Sequence, residues 1–399
     1  MPDVRAQLAA STDARREVLV GLSHAVHGDA ELRFEEHTSS QRVAAVLDAG
    51  GFTVDHGVAG LETAFTARIG TGDLHVGICA EYDALPSIGH ACGHNIIAAA
   101  AAGAGLALAE VVDDLGLTVT VFGTPAEEGG GGKIIMLDAG LFEDVHAAMM
   151  VHPAPYESVS MPCLAVRHLD VAYTGRSAHA SAYPQMGINA ADALTVAQVG
   201  IGLLRQHIAA TDRIHGIVTH GGDAPNIVPH QTAGRWYVRA ADLEALAELE
   251  PRVAACFEAG ALATGASLQL HSEHDPYSEM RADAELGGIY RIAAEDIGRS
   301  FPPEDEDTQL AGSTDMANVS LRVPTIHPMI AIDAGGAVNH QPEFTAACVN
   351  ASADAAVRDG ALAMATTAAW AASDTATRHR LQAEAAARPS TRWNREADA

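Results

Sequence analysis

The sequence predicts an α/β protein that carries an inserted α+β domain, and three observations support this. Strand and helix patterns alternate over residues 12–151, which is typical of a sheet with helices packed on its faces. Residues 166–273 instead follow the order β-α-β-β-α-β, the ferredoxin-like pattern. With 399 residues, of which 48% are hydrophobic, the chain has enough apolar material for about two domains.

The N-terminal region supports the α/β part of this prediction. Helices are predicted at 12–27 and 36–50, and Gly50-Gly51 ends the second one. Apolar, β-rich runs predict strands, and the stretches between them predict helices. The predicted strands are 63–69, 74–80, 117–123 and 147–151, and the predicted helices are 96–112 and 133–139. We therefore expect a sheet with helices on both faces.

The middle of the chain is predicted to form a separate unit. Its elements, in chain order, are strand 167–174, helix 187–209, strand 216–220, strand 231–240, helix 243–263 and strand 267–271. The chain then returns with a helix at 284–297, a strand at 325–332 and a long alanine-rich helix from residue 351. The tail from residue 375 is charged, and we expect it to be mobile at its end. The predicted domains are 1–165, 166–273 and 274–399, with the first and last forming one catalytic unit.

The composition of the chain restricts the partners that the protein could bind and the cellular compartment in which it could function. The net charge is −27, from 24 basic and 51 acidic side chains, so we expect neither a nucleic-acid nor a membrane partner. Five scattered cysteines indicate a reducing compartment rather than a disulfide framework. The N-terminus lacks the apolar core of a signal peptide, and the longest apolar run, 96–109, is too short to span a bilayer. The expected location is cytoplasmic.

The motif Gly89-His90-Ala91-Cys92-Gly93-His94-Asn95 follows a predicted strand. A thiolate and an imidazole two residues apart can face one metal ion, because Gly93 lets the backbone turn tightly between them. Such a motif is often a chance loop when it stands alone. The end of a strand is, however, where open α/β sheets bind ligands.

Adjacent carboxylates, Glu127 and Glu128, come after the strand at 117–123 and before a run of four glycines. Adjacent acidic residues usually lie on a solvated surface. These two instead lie between an apolar strand and a glycine run, which is not the pattern of a surface helix. One carboxylate can bind metal while the other handles a proton. A phosphate-binding loop is rejected, because Gly132-Lys133-Ile134 lacks the Ser or Thr that would bind magnesium.

Two further histidines are candidate ligands. His152 follows the apolar run at 147–151, and His340 lies in a late polar loop that leads into the last helix. Each could be an ordinary surface residue by itself. In the inserted domain, Gly175-Arg176-Ser177-Ala178-His179, Asn226 and Arg239 are polar positions whose importance depends on the remaining motifs.

Taken together, these motifs resemble the two-metal amidohydrolase and metallopeptidase family of aminoacylase, carboxypeptidase G and succinyl-diaminopimelate desuccinylase. The Cys-Gly-His motif is similar to the branch of hippurate hydrolase and the auxin-conjugate hydrolases. His-Ala-Cys-Gly-His-Asn and Gly312-Ser313-Thr314-Asp315-Met316 look closest to the subgroup of aminobenzoyl-glutamate hydrolase and the Xaa-Arg and β-alanyl-lysine dipeptidases. The resemblance covers nearly the whole chain. It implies a metallopeptidase-type mixed sheet and an inserted ferredoxin-like domain that serves as lid and dimerisation module.

The resemblance also implies roles for individual residues. Two divalent metal ions would be held by Cys92, in the place of a bridging acidic ligand, together with His94, Glu128, His152 and His340. Glu127 would be the general base, and His179 would stabilise the oxyanion. Asp83 would lie behind the metal site and orient one of the metal ligands. Asn226, Arg239 and Ser313 would contact substrate. Zinc is the expected metal, with manganese, cobalt and nickel as alternatives.

The implied substrate is an N-acyl amino acid, a dipeptide or an aroyl-glutamate, cleaved at its amide bond. The implied assembly is a homodimer formed through the inserted domain. Asn95 stands where Asp is common after Cys-Gly-His, and Gln185 stands where many relatives have His, which leaves the substrate open. Two alternatives are an N-carbamoyl amino acid hydrolase, which shares the architecture but uses other ligand motifs, and a non-enzymatic ligand-binding relative.

Overall fold

A computed structural model describes residues 2–272, 274–302 and 312–388. The chain divides into two compact units, one formed by Met1–Pro162 with Met280–Ala399 and the other by Cys163–Glu279. The predicted inserted span, 166–273, falls inside the second unit. The predicted fold class is confirmed, because the first unit is built on a mixed sheet with helices and the second is an α+β unit.

Up to the insertion, the first unit contains six helices and six strands among the described residues. The helices are α1 (Pro2–Ala14), α2 (Arg16–Asp29), α3 (His37–Ala49), α4 (His94–Ala109), α5 (Val112–Leu115) and α6 (Gly132–Asp138). The strands are β1 (Thr53–His56), β2 (Phe65–Ile69), β3 (Leu74–Glu81), β4 (Leu117–Thr124), β5 (Ala147–Met149) and β6 (His152–Ala154). Helices α1 and α5 and strand β1 were not predicted, because α1 mixes polar and apolar residues, α5 has four residues and β1 ends in Asp55 and His56.

The second unit is an antiparallel sheet with two helices. Its elements are β7 (Ala165–Thr174), α7 (Ala190–Leu204), β8 (Arg213–His220), β9 (Gln231–Ala240), α8 (Leu243–Thr264) and β10 (Ser267–His271). The strand order is β10-β7-β9-β8, so β10 and β8 are the edges. One face of the sheet packs against both helices, where Trp236 meets Phe257 edge to face at a centroid distance of 5.1 Å. The helix predicted at 187–209 is shorter, because Asn189 caps its first turn and a 3₁₀ turn begins at Arg205.

The chain then returns to the first unit. The remaining elements are α9 (Ala284–Glu295), α10 (Met316–Ser320), β11 (Thr325–Ile326), β12 (Met329–Ala331), α11 (Pro342–Ala347), α12 (Ala351–Ser373) and α13 (Thr375–Ala387). The tail that was predicted to be mobile at its end begins as α13, and residues 389–399 lie outside the described part of the chain. No helix of the described residues is long and apolar enough to cross a membrane.

The large sheet is buried on both faces. Its order is β1-β2-β4-β3-β5-β11, with β3 parallel to β4 and β5 and with β2 antiparallel to β4. Alternate residues of β3 enter two different cores: Ile78 packs in the core that contains α4 and α12, and Cys79 packs in the core that contains α6 and α10. Small residues allow α4 and α12 to approach closely, since a Cβ at Gly103 would meet the Cβ of Ala361 at 2.8 Å.

Two predicted strands are each divided in the structure. The strand predicted at 147–151 ends at Met149, and the strand predicted at 325–332 becomes β11 and β12. Strands β5 and β11 pair in the large sheet, whereas β6 and β12 form a separate parallel pair. Pro328, in the break between β11 and β12, lacks the N–H that a continuous ladder requires. His152 therefore begins β6 instead of following the end of one strand, and its N–H donates to the Pro328 carbonyl at 2.9 Å.

Candidate active site

Cys92 and His94 lie on either side of a sharp turn between β3 and α4. Gly93 has a φ of +79°, and a Cβ there would meet the Pro153 ring at 2.4 Å, so the turn requires glycine. His94 is the first residue of α4 and is fully buried. Its Nδ1 lies 3.0 Å from Asp83 Oδ1, and this hydrogen bond directs Nε2 away from Asp83.

The first group of possible metal ligands consists of Cys92, His94 and His152, whose ligand atoms all lie within 4.8 Å of one another. Cys92 Sγ is 3.4 Å from His152 Nε2. His152 Nδ1 lies 2.9 Å from the Pro153 carbonyl and donates to it, which leaves the Nε2 lone pair facing the thiol. Burial lowers the pKa of His152 well below its usual value, so the ring is neutral and able to bind a cation.

The second group consists of Cys92, Glu128 and His340. His340 Nε2 lies 3.5 Å from Cys92 Sγ and 3.6 Å from Glu128 Oε2. The backbone of His340 has a φ of 69°, a left-handed conformation held by a hydrogen bond from its N–H to the Ala91 carbonyl. Cys92 is the residue common to both groups.

Glu127 and Glu128 are presented by a strained turn after β4. Ala126 has a φ of 61°, and its N–H donates to Glu36 Oε1 at 2.9 Å. The N–H of Glu128 donates to Asp83 Oδ2 at 2.9 Å. Burial raises the pKa of Glu127 well above its usual value, and the carboxylates of Glu81 and Glu128 raise it further.

Several buried atoms of this region point to a bound cation. His94 Nε2, Glu128 Oε1 and Glu81 Oε2 have no hydrogen-bond partner among the described residues. Buried polar atoms are nearly always bonded in native proteins, so their concentration here indicates a ligand. Thiolate, imidazole and carboxylate donors in two adjoining groups fit transition metals such as zinc.

Three buried charged residues adjoin the site and were not predicted. Lys133 Nζ lies 2.5 Å from Glu81 Oε1 and 2.6 Å from Asp315 Oδ1, and all three side chains are fully buried. Glu81 also belongs to a third group of possible ligands with His94 and Glu127. The only signal of this cluster in the sequence is an acidic residue at the end of an otherwise apolar strand.

The remaining predicted residues, Ser313, His179, Asn226 and Arg239, belong to none of the three groups of possible ligands found among the described residues. Ser313 lies half-buried in the first unit, two residues before Asp315. His179, Asn226 and Arg239 lie in the second unit. The Nδ1 of exposed His179 accepts the Ala182 N–H at 3.2 Å, so the neutral ring carries its proton on Nε2.

Comparison with known proteins identifies the family. Residues 78–365 match the model described as peptidase family M20/M25/M40. The chain is 37% identical to the Xaa-Arg dipeptidase of Mus musculus over 380 residues, covering 92% of this chain and 88% of that protein. It is 32% identical to one of the subunits of the p-aminobenzoyl-glutamate hydrolase of Escherichia coli, covering 64% of this chain and 58% of that protein. Among solved structures, a dinuclear metal-binding M20 peptidase of Bacillus subtilis is similar with a TM-score of 0.67 at 21% identity, covering 90% of this chain and 99% of that one.

The chain belongs to peptidase family M20/M25/M40. This confirms the family and subgroups that the motifs resemble, including the subgroup of the Xaa-Arg dipeptidase and the aminobenzoyl-glutamate hydrolase. It also confirms the predicted activity class, a metal-dependent enzyme that hydrolyses amide bonds.

Proposed function

We propose that the protein is a two-metal hydrolase of dipeptides or N-acyl amino acids, with Cys92, His94, Glu128, His152 and His340 as the metal ligands. The observation that carries this proposal is the pair of ligand groups that share Cys92, with Glu127 beside them. When bound, the two ions would polarise the scissile carbonyl and acidify a water molecule. Zinc suits this donor set, with manganese, cobalt and nickel as alternatives.

Glu127 is the proposed general base. Its Oε2 lies 3.7 Å from His94 Nε2, at the edge of the ligand groups, and its pKa is raised by burial. A carboxylate of raised pKa accepts a proton more readily, so Glu127 takes one from the attacking water and passes it to the nitrogen of the leaving amine. Asp83 supports this arrangement by anchoring both His94 and the Glu128 backbone.

Substrate contacts are proposed for His179, Asn226, Arg239 and Ser313. The Nε2–H of His179 suits hydrogen bonding to the developing oxyanion. Arg239 donates from Nε to His215 Nε2 at 3.3 Å, which fixes the plane of a guanidinium suited to clamping the substrate carboxylate. The dipeptidase relative of Mus musculus supports a dipeptide, and the E. coli relative supports an aroyl-glutamate.

We also propose a homodimer in which the second unit of one copy completes the site of the other. Strand β8 is an edge strand whose Ile217 and Val218 are 64% and 44% exposed. Pairing this edge with a second copy would bury its backbone groups and these apolar side chains. The five cysteines are all unpaired, which supports a reducing, cytoplasmic location.

A substrate panel tests the proposed activity. Metal-loaded protein should hydrolyse dipeptides, N-acyl amino acids or aroyl-glutamates, whereas the matched Glu127→Gln protein should not. Amine release, followed by chromatography, is the measurement. Hydrolysis of N-carbamoyl amino acids alone would instead support the alternative hydrolase class. Failure to cleave any member with two equivalents of metal bound would contradict an enzymatic role.

A further inference from the structure

A buried histidine outside the proposed ligand set has no bonding partner. His327 lies between β11 and β12 and is 1% exposed. Neither its Nδ1 nor its Nε2 has a hydrogen-bond partner on any other residue of the described part of the chain. A neutral imidazole has one donor and one acceptor to satisfy, and both are unsatisfied here.

An apolar residue at this position would avoid the cost of burying two unbonded nitrogens. The neighbouring residues Ile326 and Met329 are apolar and buried, so a side chain such as Leu would match its surroundings. A buried polar group without a partner is destabilising, and proteins keep such groups mainly at functional sites. The immediate surroundings of His327 indicate which function this is.

The His327 ring lies beside the proposed metal centre. Its centroid is 5.5 Å from that of His152, with the planes tilted by 41°. His152 belongs to the group formed with Cys92 and His94, whereas His327 belongs to none of the ligand groups found among the described residues. Metal binding by those groups therefore leaves the two nitrogens of His327 without a partner.

We propose that His327 is a further binding residue of the reaction centre, which donates one hydrogen bond to, and accepts one from, a neutral polar group held beside His152. The inference rests on the proposed function in taking His152 as part of the centre. A group that both accepts and donates has the chemistry of a water molecule or of the substrate amide.

Three variants test this proposal. His327→Leu removes both polar atoms, and His327→Gln keeps one donor and one acceptor. His75→Leu is the matched control, since His75 is a buried histidine with a bonding partner, Thr120 Oγ1 at 2.8 Å. Thermal unfolding of metal-free protein, metal content and steady-state kinetics are measured for each.

The expected results separate a binding role from a structural one. His327→Leu should unfold at the wild-type temperature or above, bind two metal equivalents, and lose about tenfold in kcat/KM. His327→Gln should retain most of the activity, and His75→Leu should unfold at a lower temperature. An equal fall in kcat for every substrate would identify water as the partner, and a substrate-dependent change in KM would identify the substrate amide.

Two results would overturn the proposal. One is a His327→Leu protein with unchanged kcat and KM. The other is a His327→Leu protein that unfolds at a lower temperature, as the control does, because His327 would then be bonded within the fold. The two failures are distinguishable: if the wild-type protein cleaves nothing in the panel, the proposed function fails, while the unfolding measurement still tests His327.

Discussion

At the residue scale, adjacent carboxylates have different surroundings. Glu128 Oε2 lies 3.6 Å from His340 Nε2, on the side of the Cys92 and His340 group. Glu127 Oε2 lies 3.7 Å from His94 Nε2, next to Glu81. The backbone just before Glu127 is held by a hydrogen bond from the Ala126 N–H to Glu36. The backbone of Glu128 is held by a hydrogen bond from its own N–H to Asp83. Neighbours in the sequence can therefore take different chemical roles.

Substitution of these two residues should give two distinct defects. Glu127→Gln should bind both metals but lose nearly all turnover, because the proton acceptor is gone. Glu128→Gln should bind metal more weakly, because a ligand is altered. Metal content by elemental analysis and kcat by product release are the measurements. Equal binding of two metals by both variants would disprove this division of roles.

Local sequence patterns indicate which residues could bind metal or transfer a proton. They do not indicate which of these residues lie close together in the fold. The Cys-Gly-His turn could be inferred from spacing, since Gly93 must adopt a positive φ. Cys92 lies 60 residues from His152 and 248 from His340, so only family resemblance suggested that they converge. The Lys133 cluster was missed because its one signal, Glu81 at the end of an apolar strand, does not show which cation pairs with it.

At the scale of elements, the buried ion cluster joins three segments of the first unit. Lys133 lies in α6, Glu81 ends β3, and Asp315 precedes α10. The backbone N–H of Lys133 also donates to Asp315 Oδ2 at 2.9 Å. Buried charges are tolerated only when they are paired, so Lys133 keeps two carboxylates in the interior beside the proposed metal centre.

Loss of the Lys133 charge should destabilise the first unit. Lys133→Met should lower the free energy of unfolding by about 3–5 kcal/mol, because Glu81 and Asp315 lose their only partner cation in this cluster. Arg5→Met, which breaks an exposed pair with Asp296, should cost less than about 1 kcal/mol. Urea denaturation measures both. A Lys133→Met protein as stable as the wild type would show that the cluster is not a stabilising unit.

Helices and strands were predicted well where a continuous apolar pattern in the sequence corresponds to a fully buried element in the structure. Strands β3 and β4 are buried along their whole length and were found within a residue or two of their ends. The division at Met150-Val151 was missed because apolar residues continue through it, and the division at His327-Pro328 was missed because apolar residues flank it on both sides. Only the pairing partners reveal that β6 and β12 leave the large sheet.

At the scale of the whole molecule, the two units have different sheets and separate cores. The mixed sheet of the first unit is buried on both faces, whereas the antiparallel sheet of the second packs its helices on one face. The β-α-β-β-α-β pattern predicted the α+β fold of the second unit, because the order of the elements can be read from the sequence alone. The proposed homodimer depends on the exposed edge of β8, which no local pattern defines.

Complementation between two inactive variants tests whether the second unit of one copy completes the active site of the other copy. Glu127→Ala and His179→Ala proteins should each be nearly inactive. Mixed dimers that share sites in trans contain one site with both groups intact, so activity should partly return after subunit exchange. If Glu127 and His179 act within one chain, every site lacks one of them. Verified exchange without recovery of activity would therefore rule out the shared site.

A metal titration tests whether amide hydrolysis requires two metal ions. The proposed ligands of these ions are Cys92, His94, Glu128, His152 and His340. Metal is removed with a chelator, its loss is verified by elemental analysis, and zinc is returned in measured equivalents while dipeptide or N-acyl amino acid hydrolysis is followed. We expect no activity without metal and full activity at about two equivalents per chain. Hydrolysis that persists in protein verified to be free of metal would contradict this expectation.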